Sequence, residues 1–188
     1  MTNKLIYKDI VILIMIFIGI FFYFLLGNIN LHGLILYFVL ILLFYFIEKI
    51  FSIDFKKNHY FYLIIISFSI LFFYNIQSYF IQVDKLLHLI GGIMLTSITY
   101  YLSTKKNNLK KNRLIIAFLL SILVIFSYEL YEYTSDKLFN TKMQGVYHFI
   151  NNQSIMVMGK TSDTIQDILL GIIGVFIYLS RTLIINKM

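Results

Sequence analysis

The run Leu114-Ile115-Ile116-Ala117-Phe118-Leu119-Leu120-Ser121-Ile122-Leu123-Val124-Ile125-Phe126-Ser127-Tyr128-Glu129-Leu130-Tyr131-Glu132-Tyr133 decides the fold. It is apolar for the roughly 20 residues that a helix needs to cross hydrocarbon. Lys110, Lys111 and Arg113 stand just before it, as positive residues do at a cytoplasmic membrane boundary. Near its other end it carries two glutamates, and ionisable residues inside a span are costly enough to mark a functional site by default.

Working outward, five further stretches have the same character. The predicted spans cover approximately residues 10–26, 31–47, 60–80, 86–102, 114–133 and 165–185. The second is the shortest, and a partly re-entrant course is an alternative there. The first follows Lys4 and Lys8 but has no small-residue cleavage site, so it reads as a retained span rather than a signal peptide. The expected fold class is all-α: a polytopic transmembrane helical bundle of about six spans, one transmembrane domain over residues 1–188.

Composition agrees. The chain is 60% hydrophobic and 13% charged, whereas soluble domains run at about 45–50% apolar and about 25% charged. A water-soluble domain is excluded. The net charge of +7 does not point to nucleic acid, because the basic residues sit in short loops beside apolar blocks; the expected partners are membrane lipids, through anionic headgroups. With no Cys, thiolate metal sites, iron–sulfur clusters, disulfides and thiol nucleophiles are excluded.

Positive residues also set orientation. Twelve of the sixteen Lys and Arg residues fall on one side, in the N-terminal tail, the second and fourth loops and the C-terminus. The other side holds Lys85, Lys137, Lys142 and Lys160. Both termini are therefore expected in the cytoplasm, which requires an even number of spans. The long outer loop, 135–161, is too apolar for a solvated linker and too short to span, so it is expected to lie in the interface or fold back over the bundle.

Three polar pairs stand out. Asp84 and His88 are four apart at the start of the fourth span, Glu129 and Glu132 three apart near the end of the fifth, with Asp136 a turn beyond, and Asp163 and Asp167 four apart at the start of the sixth. Each spacing puts both residues on one helical face. Spans four and six run inward and span five outward, so all three pairs are expected at one depth, near the extracytoplasmic interface. Gly91, Gly92, Gly171 and Gly174 would allow close helix approach. Taken singly, Asp84 and Asp163 read as helix caps and the glutamates as snorkelling side chains; neither explains His88, or Asp167 a turn deeper.

Carboxylates with one imidazole suit a hard or borderline divalent cation, Mg²⁺, Mn²⁺ or Zn²⁺. Without a cation, some would hold protons and serve as acid and base. The expected metal ligands are Asp84, His88, Glu132, Asp163 and Asp167, and the expected catalytic groups Glu129, Glu132 and His88. No Glu-x-x-His, nucleophile elbow, phosphate-binding glycine loop or His-Glu-x-x-His occurs.

At these same residues the chain resembles the YjdF-like family of small bacterial and archaeal membrane proteins. The resemblance rests on Asp84-Lys85-Leu86-Leu87-His88 with Gly91-Gly92, on Tyr128-Glu129-Leu130-Tyr131-Glu132, and on Asp163-Thr164-Ile165-Gln166-Asp167 with Gly171 and Gly174. In motif order it is also similar to VanZ-like proteins, which are linked to glycopeptide tolerance. Both resemblances imply a multi-pass protein of the cell membrane of a bacterium or archaeon. The leading expectation is a metal-dependent enzyme acting on an envelope lipid or lipid-linked molecule. An ion-coupled transporter or proton relay and a non-catalytic immunity or assembly factor are the alternatives; against transport, the inner halves of the spans show no polar path.

Overall fold

The computed structural model describes residues 10–21, 31–50, 52–73, 81–106, 110–150 and 153–185. The ends of the first and third expected spans, the 27–30 connection, and Lys4, Lys8 and Lys187 lie outside these residues. The described residues form six helices and one hairpin. In chain order they are α1 (Ile10–Phe21), α2 (Leu31–Ile50), α3 (Lys57–Phe73), α4 (Ile81–Lys106), α5 (Lys110–Phe139), β1 (Val146–Ile150), β2 (Gln153–Met158) and α6 (Lys160–Ile185). The all-helical architecture is as expected, with the hairpin as an addition. α2 is continuous over 20 residues, with no re-entrant break.

The chain divides into two compact units, Met1–Ile76 and Gln77–Met188. In the first, the Tyr37 hydroxyl on α2 donates to the Met15 carbonyl of α1. Phe44 of α2 stacks on Phe55 at 4.3 Å and meets the Tyr60 ring edge-on at 5.6 Å. Beside them the buried Glu48 carboxylate accepts from the Tyr60 hydroxyl at 2.5 Å and from the Phe55 amide at 3.3 Å.

The second unit holds three helices long and apolar enough to cross a membrane, over Asp84–Lys105, Asn112–Phe139 and Lys160–Ile185. It is built inside out relative to a soluble bundle. On α5, Ile115, Leu119, Leu123, Phe126 and Leu130 form one exposed apolar stripe. The opposite stripe, Ala117, Ser121, Ile125, Glu129, Glu132 and Ser135, is buried and mostly polar or small. Apolar side chains turned outward and carboxylates turned inward are what a hydrocarbon solvent selects.

α4 and α6 meet backbone to backbone. A Cβ at Gly92 would lie 2.2 Å from the Gly171 carbonyl oxygen, and one at Gly174 would lie 2.3 Å from the Leu89 carbonyl oxygen. The space left by Gly171 is taken by Ile125 of α5, whose Cδ1 would be 3.1 Å from an added Cβ. Gly91 is different: among the described residues a Cβ there meets nothing within 4 Å, so it has no part in the α4–α6 packing, contrary to the expectation. Toward the other end, the α4–α5 seam is closed by hydroxyls: Thr99 bonds Ser121 at 2.8 Å, Ser121 donates to the Ala117 carbonyl at 2.8 Å, and Ser103 to the Arg113 carbonyl at 3.1 Å.

The fourth, fifth and sixth predicted spans are shorter than α4, α5 and α6, because a helix continues past the hydrocarbon edge while its polar side chains find partners. α4 starts at Ile81, not 86, and α6 at Lys160, not 165. α5 continues to Phe139, which brings Asp136 onto the helix. Most of the expected loop 135–161 is thus helix end or hairpin. β1 and β2 pair antiparallel, with Val146 opposite Met158 and His148 opposite Ile155.

Candidate functional site

The site lies where the first turns of α4 and α6 meet the last turns of α5. Its geometry excludes simple capping. Asp84 is the fourth residue of α4 and Asp163 the fourth of α6. Asp163 does not serve its own helix end: one oxygen accepts from Lys85 Nζ at 2.5 Å and the other from the Gly145 amide at 2.8 Å. Asp163 therefore fastens the base of the hairpin to α4.

Lys85 is the centre of the cluster. Its ammonium lies 2.5 Å from Asp163 Oδ1, 2.7 Å from Asp167 Oδ1 and 3.3 Å from Asp84 Oδ2. Sequence reading counted this residue as an outer-loop charge. The signal that could have placed it is its spacing: Lys85 precedes Gly92 by seven, so it shares the glycine face that packs on α6, where Asp167, Gly171 and Gly174 form the matching stripe.

His88 looks two ways. Nε2 is 3.8 Å from Asp84 Oδ1 and 3.7 Å from Asp167 Oδ1, whereas Nδ1 is 3.8 Å from Glu129 Oε1. Asp84, His88 and Asp167 each offer one ligand atom, all within 4.8 Å of one another. Two ligands on one ion at bonds of about 2.1 Å can be separated by up to about 4.2 Å, so the imidazole fits either carboxylate across a cation.

Glu129 is 4% exposed, and neither of its carboxylate oxygens has a hydrogen-bond partner among the described residues. The Thr164 hydroxyl lies beside it. Glu132 is also buried, on the same face of α5, but the close approach to His88 comes from Glu129. Asp136 stands apart from the cluster and organises the outer connection. It accepts from the Met143 amide at 2.5 Å, the Gln144 amide at 3.2 Å, the Thr141 hydroxyl at 2.9 Å and Lys160 Nζ at 2.7 Å.

Asp84, Glu129, Glu132, Asp163 and Asp167 thus converge with one ammonium and one imidazole. That excess of negative charge is not sustainable at low dielectric, so the site must hold further positive charge, as protons or as a cation. The Asp84 and His88 side chains are 14% and 15% exposed, against 1% for Asp167.

No curated protein and no solved structure matches the chain. The resemblance to VanZ-like proteins therefore finds no support, while the YjdF-like one does. Over residues 8–187, nearly the whole chain, the sequence matches the family described as predicted membrane protein (DUF2238), and it belongs to that family of membrane proteins.

Proposed function

We propose that this protein is a metal-dependent membrane enzyme that works at the extracytoplasmic end of its helices on an envelope lipid or lipid-linked molecule. Asp84, His88 and Asp167 hold a divalent cation, Mg²⁺, Mn²⁺ or Zn²⁺, and Asp163 and Glu132 supply further carboxylate around it. Glu129 is the proton acceptor. It faces the imidazole nitrogen turned away from the cation ligands, which is how a carboxylate orients and polarises a metal-bound histidine. When bound, the cation supplies Lewis-acid activation.

The observation that carries this reading is Glu129: a buried carboxylate with no hydrogen-bond partner among the described residues on either oxygen, 3.8 Å from His88. A carboxylate that only locked helices together would be satisfied by donors, because an unpaired buried charge costs several kcal/mol. What supports a lipid substrate is that the outward faces of α5 and α6 are apolar on the helices that carry the site.

Transport is less well supported. The buried hydroxyls of the α4–α5 seam give some polarity below the site, more than the sequence suggested, but Thr96, Ser103 and Ser121 donate to backbone carbonyls. Along α5 the buried Ile125 separates Ser121 from Glu129.

The test is thermal unfolding in detergent with chelator or with Mg²⁺, Mn²⁺ or Zn²⁺, followed by lipid analysis of proteoliposomes. One of the ions should stabilise the wild type and not Asp167→Asn, and a lipid product should form with the wild type but not with Glu129→Gln. Absence of ion stabilisation together with unchanged lipids would end the reading.

A further inference from the structure

Both faces of β2 expose large apolar side chains. Successive residues of a strand point to opposite sides, yet Ile155, Met156 and Val157 in β2 are 50%, 47% and 51% exposed. An antiparallel ribbon in water keeps one polar face, and a two-stranded ribbon is marginal there in any case. This one is nevertheless held in a definite place. Gly145 is bonded to Asp163, Gln144 Nε2 to the Thr164 hydroxyl at 3.0 Å, and Asp136 grips the residues before β1. Both anchors lie on helices that cross the membrane, α5 just before its end and α6 at its start, and Gly159 alone separates β2 from α6.

The base of the hairpin has the composition of a membrane interface. Lys142 lies over the Tyr147 ring at 5.7 Å and Lys137 over the Tyr133 ring at 6.0 Å. Amphipathic rings with long cationic side chains are the groups that settle at headgroup level. A soluble partner protein would have to cover both apolar faces; at the interface acyl chains cover the apolar side chains while water and headgroups satisfy the open edges of the two-stranded ribbon, and the two spans place that interface alongside.

We propose that the β1–β2 hairpin is a membrane-dipping element: acyl chains of the leaflet at the site end cover both faces of β2, and anionic headgroups bind at Lys137 and Lys142. It makes a lipid-side wall beside Asp163 and does not depend on whether the site holds a metal.

The chain contains no Trp, so single tryptophans report without background. Ile155→Trp and Met156→Trp, successive residues ahead of the register shift at Val157 and so on opposite faces of β2, are reconstituted in vesicles of phosphatidylcholine and phosphatidylglycerol with or without brominated acyl chains. Both should emit blue-shifted, lose most of their fluorescence to the brominated lipid and resist iodide. Removing phosphatidylglycerol should weaken quenching in both. Val157→Trp, at the register shift, replaces either variant that fails to fold and should give the same three results. Quenching on one face only would make the hairpin an amphipathic surface strand, and blue-shifted emission insensitive to bromine would mean a protein partner; either result overturns the proposal, as does iodide access to both positions.

Discussion

Two adjacent glycines should respond oppositely to the same substitution. In Gly92→Ala the new methyl would be 2.2 Å from the Gly171 carbonyl oxygen, where a relaxed carbon–oxygen contact needs about 3.3 Å. The obstacle is backbone, so α4 and α6 must separate by about 1 Å at the crossing. Overpacking of this kind costs about 1–3 kcal/mol or more, against which alanine returns up to about 1 kcal/mol of helix propensity. The separation also pulls Lys85 from Asp163 and Asp167, so the site loosens with the packing. In Gly91→Ala the methyl meets nothing within 4 Å, and only the propensity gain remains. Thermal denaturation in detergent, followed by fluorescence-detected gel filtration, should show Gly92→Ala clearly less stable than wild type and Gly91→Ala equal or slightly more stable. Equal shifts for the two would refute the backbone contact between α4 and α6.

Other expectations can be checked alongside. Lys85→Met should cost about 3–5 kcal/mol in the presence of chelator, because it leaves Asp163 and Asp167 without their cation; a divalent ion should restore part of that stability, and failure of every ion to do so would favour a purely structural cluster. His88→Ala and Asp167→Ala should be non-additive, the double variant being little worse than either single, whereas independent residues would add within about 0.5 kcal/mol. Asp136→Ala should loosen the outer connection at a cost of about 1–3 kcal/mol, from the amides it leaves unpaired, seen as faster hydrogen exchange at Met143 and Gln144; unchanged exchange there would deny its clamp role. Single cysteines at Lys105 and Thr161 should react with an impermeant thiol reagent from inside and outside respectively; labelling from one side would contradict the six-span topology.

Much of the site was legible because membrane helices are read by period. The spacings of Asp84 with His88 and of Asp163 with Asp167 put each pair on one face, and alternating span direction put the pairs at one end; the contacts of His88 with Asp84, Glu129 and Asp167 join all three helices there. Lys85 was missed because its charge was used for topology, although its spacing from Gly92 puts it on the packed face. The hairpin escaped because Met143–Ile150 and Ile155–Met158 lack the polar alternation by which strands are recognised in water, although Asn151-Asn152 between them is a turn signal. Helix ends were drawn at the hydrocarbon edge, whereas Asp136, Lys160 and Asp163 carry them further by bonding one another's neighbourhoods.

The central claim is that Asp84, His88 and Asp167 hold one divalent cation. Mn²⁺ added to purified, chelator-treated protein offers the most direct measurement, by electron spin echo spectroscopy. The account predicts a single bound Mn²⁺ with nitrogen modulation from an imidazole, lost in His88→Gln while the ion is retained more weakly, and no bound ion in Asp167→Asn. Mn²⁺ that stays free in solution, or that binds without nitrogen modulation and is indifferent to both substitutions, would contradict it.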